Sequence, residues 1–346
     1  MATIRAVASE ADVSIATVSR VLNNSGSVST SVRQRVLEAA GRLQYGATRQ
    51  PAMNYIALAY TGRTSLSSPY DVAILEGMGK ALESTGLDIA MIQLKQERRP
   101  NESAAQMLAR KGVRAAVLRT TADTRLTCIE LAKDGFPSIV VGDCFADEPA
   151  VSYMYADSLP TSQQVVEHLI SLGHRRIAIV ISHVPDHDHQ DRLTGYQQAL
   201  SEHSIEIDPK LIHRVWAMRP NGAQVIRSLM SMPDRPTAIF IADPLVAVGA
   251  INQAHEMGVK IPDDVSIVGF DDTDARNNVY PKMSAICQDA RQLGYEAAKA
   301  LAERMSDNIA APIRTAFPTW MELHDTAGQP PATAVRVLPD GVRLSD

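Results

Sequence analysis

An all-helical head joined to a two-lobed α/β core is the fold class this sequence predicts. Three observations predict it. Residues 3–23 hold two short apolar stripes at helical spacing with a break between them. From Asn54 onward, short β-branched runs alternate with helical stretches, the pattern of parallel strands covered by helices. That alternation supplies more strand–helix units than one sheet of ordinary width takes up, so two lobes share them.

In the head, Ile4, Val7 and Ala8 recur on one helical face, and Val18, Val21 and Leu22 on another. Ala11, Asp12, Val13 and Ser14 continue neither stripe. Ser14 suits an N-cap, because its hydroxyl can accept a bond from a free amide of the next turn. Ala8 is small where two helices must cross. The pair reads as a helix-turn-helix whose second helix, 15–22, keeps an exposed face for a DNA major groove. A third helix follows, with Val32, Val36, Leu37, Ala40 and Leu43 as its buried stripe.

Charge supports that reading. The whole chain carries −5, yet residues 1–49 carry +3 from six arginines and three acidic side chains, leaving −8 for the remainder. A basic head on an acidic body suits a head that meets phosphate, and arginine favours bidentate phosphate contacts.

In the core, strands are expected at 55–60, 88–94, 113–119, 138–141, 177–181, 211–215, 238–241 and 265–270. Helices are expected at 70–85, 102–110, 124–133, 159–172, 192–202, 222–231, 245–257 and 293–305. A ligand cleft belongs at the strand C-termini of such sheets. With 45% hydrophobic and 21% charged residues, the chain has the balance of a globular protein with a core, not of a disordered one. No apolar run is long enough to span a bilayer, and residues 1–30 show no secretion signal, so a cytoplasmic location is expected. Cys128, Cys144 and Cys287 lie far apart, without metal-ligand spacing, and are expected to be reduced thiols. The turn at His174, Arg175 and Arg176, after Gly173, is expected to hold a helix end.

The run VSIATVSRVLN (13–23), continued by SVSTSVRQRVLEAAGRLQY (27–45), resembles the head of the LacI/GalR family of bacterial transcription regulators. The resemblance implies a DNA-binding regulator, expected to be a repressor and not an enzyme. It would bind double-stranded operator DNA as a homodimer and answer to a small carbohydrate-like effector, with no cofactor or metal. It further implies a periplasmic-binding-protein type 1 core whose chain crosses between lobes three times. The expected domains are a head at 1–45, a linker at 46–53 and a core at 54–328. The N-lobe would take 54–156 and 287–314, the C-lobe 157–286 and 315–328. A Pro- and Ala-rich tail, 329–346, is expected to fray. The linker departs from the family: it is short, holds Gly46 and Pro51, and lacks the usual hinge-helix run, so a minor-groove wedge is not expected.

Carried over residue by residue, Ile15 and Ala16 take the base-reading positions, where apolar contact with a thymine methyl is open to them. Arg20 would reach a phosphate or a base edge. Ser14, Thr17, Ser19 and Asn23 would position the helix on the backbone. For the effector, Arg192 opens an Arg-x-x-Gly-aromatic helix start. Asp243 and Asp271 end strands, and Gln288 follows a crossover. Tyr70 is placed to stack on a ligand ring, and Arg119 ends the third strand. The carboxylates suit a sugar or nucleoside-like ligand, and the two arginines an anionic one. The segment 182–191, with His183, His187, His189 and three aspartates, leaves three readings open: a metal site, an effector contact or a solvated loop. The metal reading would make the chain an enzyme. A solute-binding protein would share the core but not the head.

Overall fold

The computed structural model describes residues 3–22, 28–43, 54–62, 68–184, 186–307, 311–333 and 335–344. The chain divides into two compact units, 1–53 and 54–346. The linker, together with Asn23, lies outside the described residues.

The first unit is three helices, α1 (Ile4–Glu10), α2 (Ile15–Leu22) and α3 (Thr30–Arg42). Thr3 caps α1, its hydroxyl accepting from the Ala6 amide at 3.3 Å. Asp12 sits at φ +50°, a left-handed turn residue that lets the chain reverse sharply between α1 and α2. Val7, Ala8, Val18, Val21, Val36, Ala39 and Ala40 form the core. The expected stripe of α3 needs one correction. Leu37 is 52% exposed, and Ala39 takes its place inside. With Val36 and Ala40 pointing inward, position 39 lies on their face of the helix and position 37 turns away from it.

The second unit opens with β1 (Tyr55–Tyr60), α4 (Pro69–Leu82), β2 (Asp88–Gln93), α5 (Leu94–Glu97), α6 (Ala104–Arg110) and β3 (Val113–Arg119). Then come α7 (Arg125–Lys133), β4 (Ser138–Val141), β5 (Tyr153–Asp157), α8 (Leu159–Ser171), β6 (Ile177–Ser182) and α9 (His187–Glu202). Next are β7 (Ile212–Val215), α10 (Arg219–Met230), β8 (Ala238–Ile241), α11 (Pro244–Glu256), β9 (Ser266–Asp271), β10 (Ser284–Cys287) and α12 (Ala290–Asp307). The chain closes with β11 (Arg314–Pro318), β12 (Trp320–Glu322), β13 (Arg336–Val337) and β14 (Arg343–Leu344).

Two six-stranded sheets result, in the orders β11-β5-β4-β3-β1-β2 and β12-β10-β9-β8-β6-β7. Within these two sheets every pairing is parallel except β10 with β12. Central strands such as Ile177-Ala-Ile-Val-Ile-Ser182 are buried at every position, because helices cover both faces. The chain passes between sheets after Asp157, after Cys287 and at Thr319. β11 pairs with β5 in the first sheet, so the third passage falls beyond Pro318 and not at 314. Thr319 holds it there, its hydroxyl donating to the Asp157 carbonyl at 2.9 Å. No helix among the described residues is long and apolar enough to cross a membrane.

Both halves have helix pairs in near-backbone contact, Gly195 of α9 meeting the Leu159 carbonyl of α8 among them. A Cβ on Gly77 of α4 would overlap the Arg291 carbonyl oxygen of α12, and one on Gly294 would overlap that of Ile74. Gly222 of α10 and Gly249 of α11 repeat the arrangement in the second half. The tail also corrects its expectation. β13 and β14 pair antiparallel, and Val337 is fully buried in the second core. Arg235 donates to the Val335 carbonyl at 2.7 Å and Arg343 to Asp264 at 3.1 Å. His174, at the turn expected to be structural, is wholly buried between Thr237 (2.8 Å) and the Gly328 carbonyl (2.9 Å), and burial lowers its pKa.

Candidate functional site

The exposed face of α2 is the first candidate. Val18 and Val21 are buried, so the opposite side of the helix faces water. Ile15 is 45% exposed, Ala16 and Arg20 are exposed, and Thr17 and Ser19 are half-buried. Ser14 caps the helix, its Oγ accepting from the Thr17 amide at 3.1 Å and meeting Thr17 Oγ1 at 2.9 Å. The result is a short, apolar and small-residue surface at a helix N-terminus, with an arginine one turn on. An α-helix fits a DNA major groove, and this one holds in Ile15 a large apolar side chain in water. Ser14→Ala is expected to loosen α2 by about 1 kcal/mol. Faster hydrogen exchange at α2 amides in the full chain is the check, with α4 amides unchanged.

The second candidate lies between the two sheets. In the first sheet β1 is flanked by β2 and β3, and in the second β6 is flanked by β7 and β8. Strand order reverses at both points, which leaves a crevice beyond the strand ends. A cavity of about 190 Å³ occupies it. That is room for one compact small molecule.

Five of the six residues expected there line it: Tyr70, Arg119, Arg192, Asp243 and Gln288. Arg119 ends β3, donates to Asp71 at 2.8 Å and to the Val141 carbonyl at 2.9 Å, and lies over the Tyr70 ring at 4.5 Å. Burial works against its charge, but Asp71, Tyr70, Asp188 and Asp186 together outweigh burial and raise its pKa. Arg119 covers one face of the Tyr70 ring, so a stacking ligand would have to take the other. Arg192 on α9 donates to the Ala242 carbonyl at 2.8 Å, lies 3.5 Å from the Phe270 ring centroid and faces Asp188 at 3.9 Å. Both arginines are thus paired with carboxylates of the wall, which weakens the argument for an anionic ligand, while Arg192 Nε is left without a partner. Asp243 caps α11, accepting from the Val246 amide at 3.0 Å, with Pro244 at the first helical position.

Asp271 is the exception. Its side chain is fully buried and turned to the loop after β9. It accepts from the amides of Thr273 (3.2 Å), Ala275 (3.1 Å) and Arg276 (3.1 Å), and from the Arg276 guanidinium at 2.8 Å. Its neighbour Asp272 lines the cavity instead and accepts from the Gln288 amide. Burial pushes the Asp272 carboxyl up to about 6, against the pull of Arg192.

Sequence reasoning missed Asp71 and Asp272 as cavity residues, and offered Asp186 and Asp188 only within the 182–191 segment, as one of its three readings. One signal for Asp188 was available: it precedes Arg192 by four, the spacing of neighbours on a helix. That signal was hidden because 182–191 reads as a loop, whereas α9 begins at His187, capped by Asp186. Burial pushes Asp188 up to about 7, with Arg192 opposing, while His189 overcomes burial and lowers Asp186. The three histidines separate. His183 meets Trp216, His187 meets Tyr155 and Asp191, and His189 bonds Asp186 at 2.8 Å. Among the described residues no group could hold a metal ion.

Comparison with known proteins bears on both candidates. Residues 3–47 match the model of bacterial regulatory proteins of the lacI family, and residues 166–324 match a periplasmic binding protein-like domain. The ribose operon repressor of Haemophilus influenzae is 29% identical over 313 residues, covering 89% of this chain and 93% of that protein. The transcriptional repressor CytR of Escherichia coli K12 is 29% identical over 307 residues, covering 88% and 90%. The solved complex of the transcriptional regulator CelR with cellobiose superposes with a TM-score of 0.68 at 27% identity, covering 94% of this chain and all of that one.

Proposed function

Because the chain belongs to the lacI family of bacterial regulatory proteins, with a periplasmic-binding-protein-like core behind its helix-turn-helix, we propose that it is an effector-controlled transcriptional repressor. It is a regulator and not an enzyme. The observation that carries the reading is the face of α2, where Ile15, Ala16 and Arg20 stand exposed over buried Val18 and Val21. That face enters the major groove of operator DNA, its first residues nearest the bases. Asn23 extends it. The repressor works in the cytoplasm as a homodimer, so its operator is a near-palindrome.

The core is read as two lobes. One takes 54–157 with 288–318, the other 158–287 with the rest. The effector is a small hydroxyl-rich molecule held between them, and its binding is coupled to that of DNA. Tyr70, Arg119, Arg192, Asp243 and Gln288 are the proposed contacts, with Asp272 in the place first given to Asp271.

Selection from a random DNA library, followed by anisotropy titration at several salt concentrations, tests the DNA reading. A near-palindromic site is expected, with affinity that falls steeply as salt rises. Recovery of no preferred sequence and a flat salt response would reject it. For the cleft, Asp271→Asn is expected to lower the melting temperature by several degrees, since it weakens a buried pair holding the 272–276 loop. Effector affinity should stay within about threefold. Arg192→Ala should remove the effector-induced rise in melting temperature.

A further inference from the structure

The cavity wall carries more carboxylates than cationic side chains, five aspartates against Arg119, Arg192 and His189. Asp71 is paired with Arg119, Asp186 with His189 and Asp188 with Arg192. Asp243 and Asp272 remain. Neither has a Lys, Arg or His nitrogen within 4.0 Å among the described residues. Both are proposed effector contacts, on the adjoining ends of β8 and β9.

Gln288 adds an independent observation. It is 5% exposed, lines the cavity and donates its amide nitrogen to Asp272. A carboxylate only accepts, so the amide orientation is settled by chemistry. That leaves Gln288 Oε1 buried with no hydrogen-bond partner. On the facing side, Asp188 is 7% exposed, and its Oδ1 is likewise buried without a partner. A buried acceptor without a donor is costly. Here two such acceptors, and two carboxylates that no cation contacts and that Arg192 reaches only at longer range, surround one space.

We propose that the effector is a compact polyol bearing a protonated amine, of the amino-sugar class, with its ammonium against Asp243, Asp272 and Gln288 Oε1. The inference rests on the reading of this cleft as the effector site. An ammonium brings three donors and no acceptor, together with the missing charge. Hydroxyls on the remainder of the ligand donate to Asp188 Oδ1 and accept from Arg192 Nε, which is also buried and unpartnered. A carboxylate or phosphate on the ligand would face Asp243 and Asp272 directly. The same wall therefore selects against sugar acids and sugar phosphates.

The test is the melting temperature of the full chain, titrated with matched sugars. The set is glucose, galactose and mannose, their 2-amino-2-deoxy counterparts, their N-acetyl derivatives, gluconate and glucose 6-phosphate. At least one amine is expected to stabilise the chain at a concentration lower than its neutral counterpart by at least about tenfold. N-acetylation should abolish that advantage, since it removes the charge and two donors. In Asp272→Asn the advantage should shrink to about threefold or less. A neutral sugar or sugar acid that stabilises better than every amine would overturn the charge assignment and keep the sugar-effector reading. No stabilisation by any member, in parent or variant, would overturn both.

Discussion

An Ala16→Asp variant is expected to lose at least about a hundredfold in operator affinity while melting as the parent does. Ala16 is exposed in the first turn of α2, so the change disturbs no core contact. An acid there is tolerated by the fold, because the helix N-terminus favours negative charge. At the DNA the same charge meets two penalties. It replaces an apolar contact with the base edges, and it brings an anion into a field of phosphates. Each such term is worth about 1–3 kcal/mol, and the two together reach a hundredfold. Anisotropy with the selected operator is the measurement, beside a thermal melt. Unchanged affinity would mean that α2 does not enter the groove. Arg20→Ala is the milder companion. It should weaken specific and random DNA alike if it meets phosphate, and specific DNA alone if it meets a base.

A Gly77→Leu variant is expected to lower the melting temperature of the core by about 5–10 °C or to prevent its folding. At the α4–α12 crossing, a Cβ already overlaps a backbone carbonyl, which has no rotamer by which to move aside. The helices must separate, and their apolar faces, including Ile74, Met78, Ala297 and Leu301, lose contact. Overpacking of this kind costs about 1–3 kcal/mol, and more where backbone is the obstacle. Each kcal/mol moves the midpoint of a domain this size by about 2–4 °C. Gly79→Leu, two residues on, where no atom lies within 4 Å of the added Cβ, is the control and should melt near the parent. If the two variants melt alike, the crossing is not as close as described.

Much of this was legible in the residues. Ser14 announced itself, because a hydroxyl stood where one apolar stripe ended and the next began. The long central strands were legible because burial on both faces demands unbroken apolar runs. β10 and β12 were not legible, being four and three residues long; they exist because neighbours pair with them. β11 follows suit, its Arg314-Thr-Ala-Phe-Pro318 carrying little apolar signal of its own. The start of α9 was hidden for a related reason. His187, Asp188, His189 and Gln190 present no apolar period, and only the cap by Asp186 reveals the helix. At the site, five of six residues could be placed because strand ends and helix starts face the crevice. The exchange of Asp271 for Asp272 turns on a distant residue. Successive side chains of a strand point to opposite sides, and Arg276 claims the first of the pair. The tail misled by composition, since Pro and Ala say nothing of the buried slot that Val337 fills.

Return, finally, to the three places where the chain passes from one sheet to the other. Thr319 ties the third to the first through the Asp157 carbonyl and the Thr161 hydroxyl, and β10 beside β12 brings in the second. Three crossings laid side by side form one narrow seam, and a hinge there would bend about a single line. Displacement would then grow in proportion to distance from that line, so a small tightening around the cavity would become a larger stroke at the outer rim.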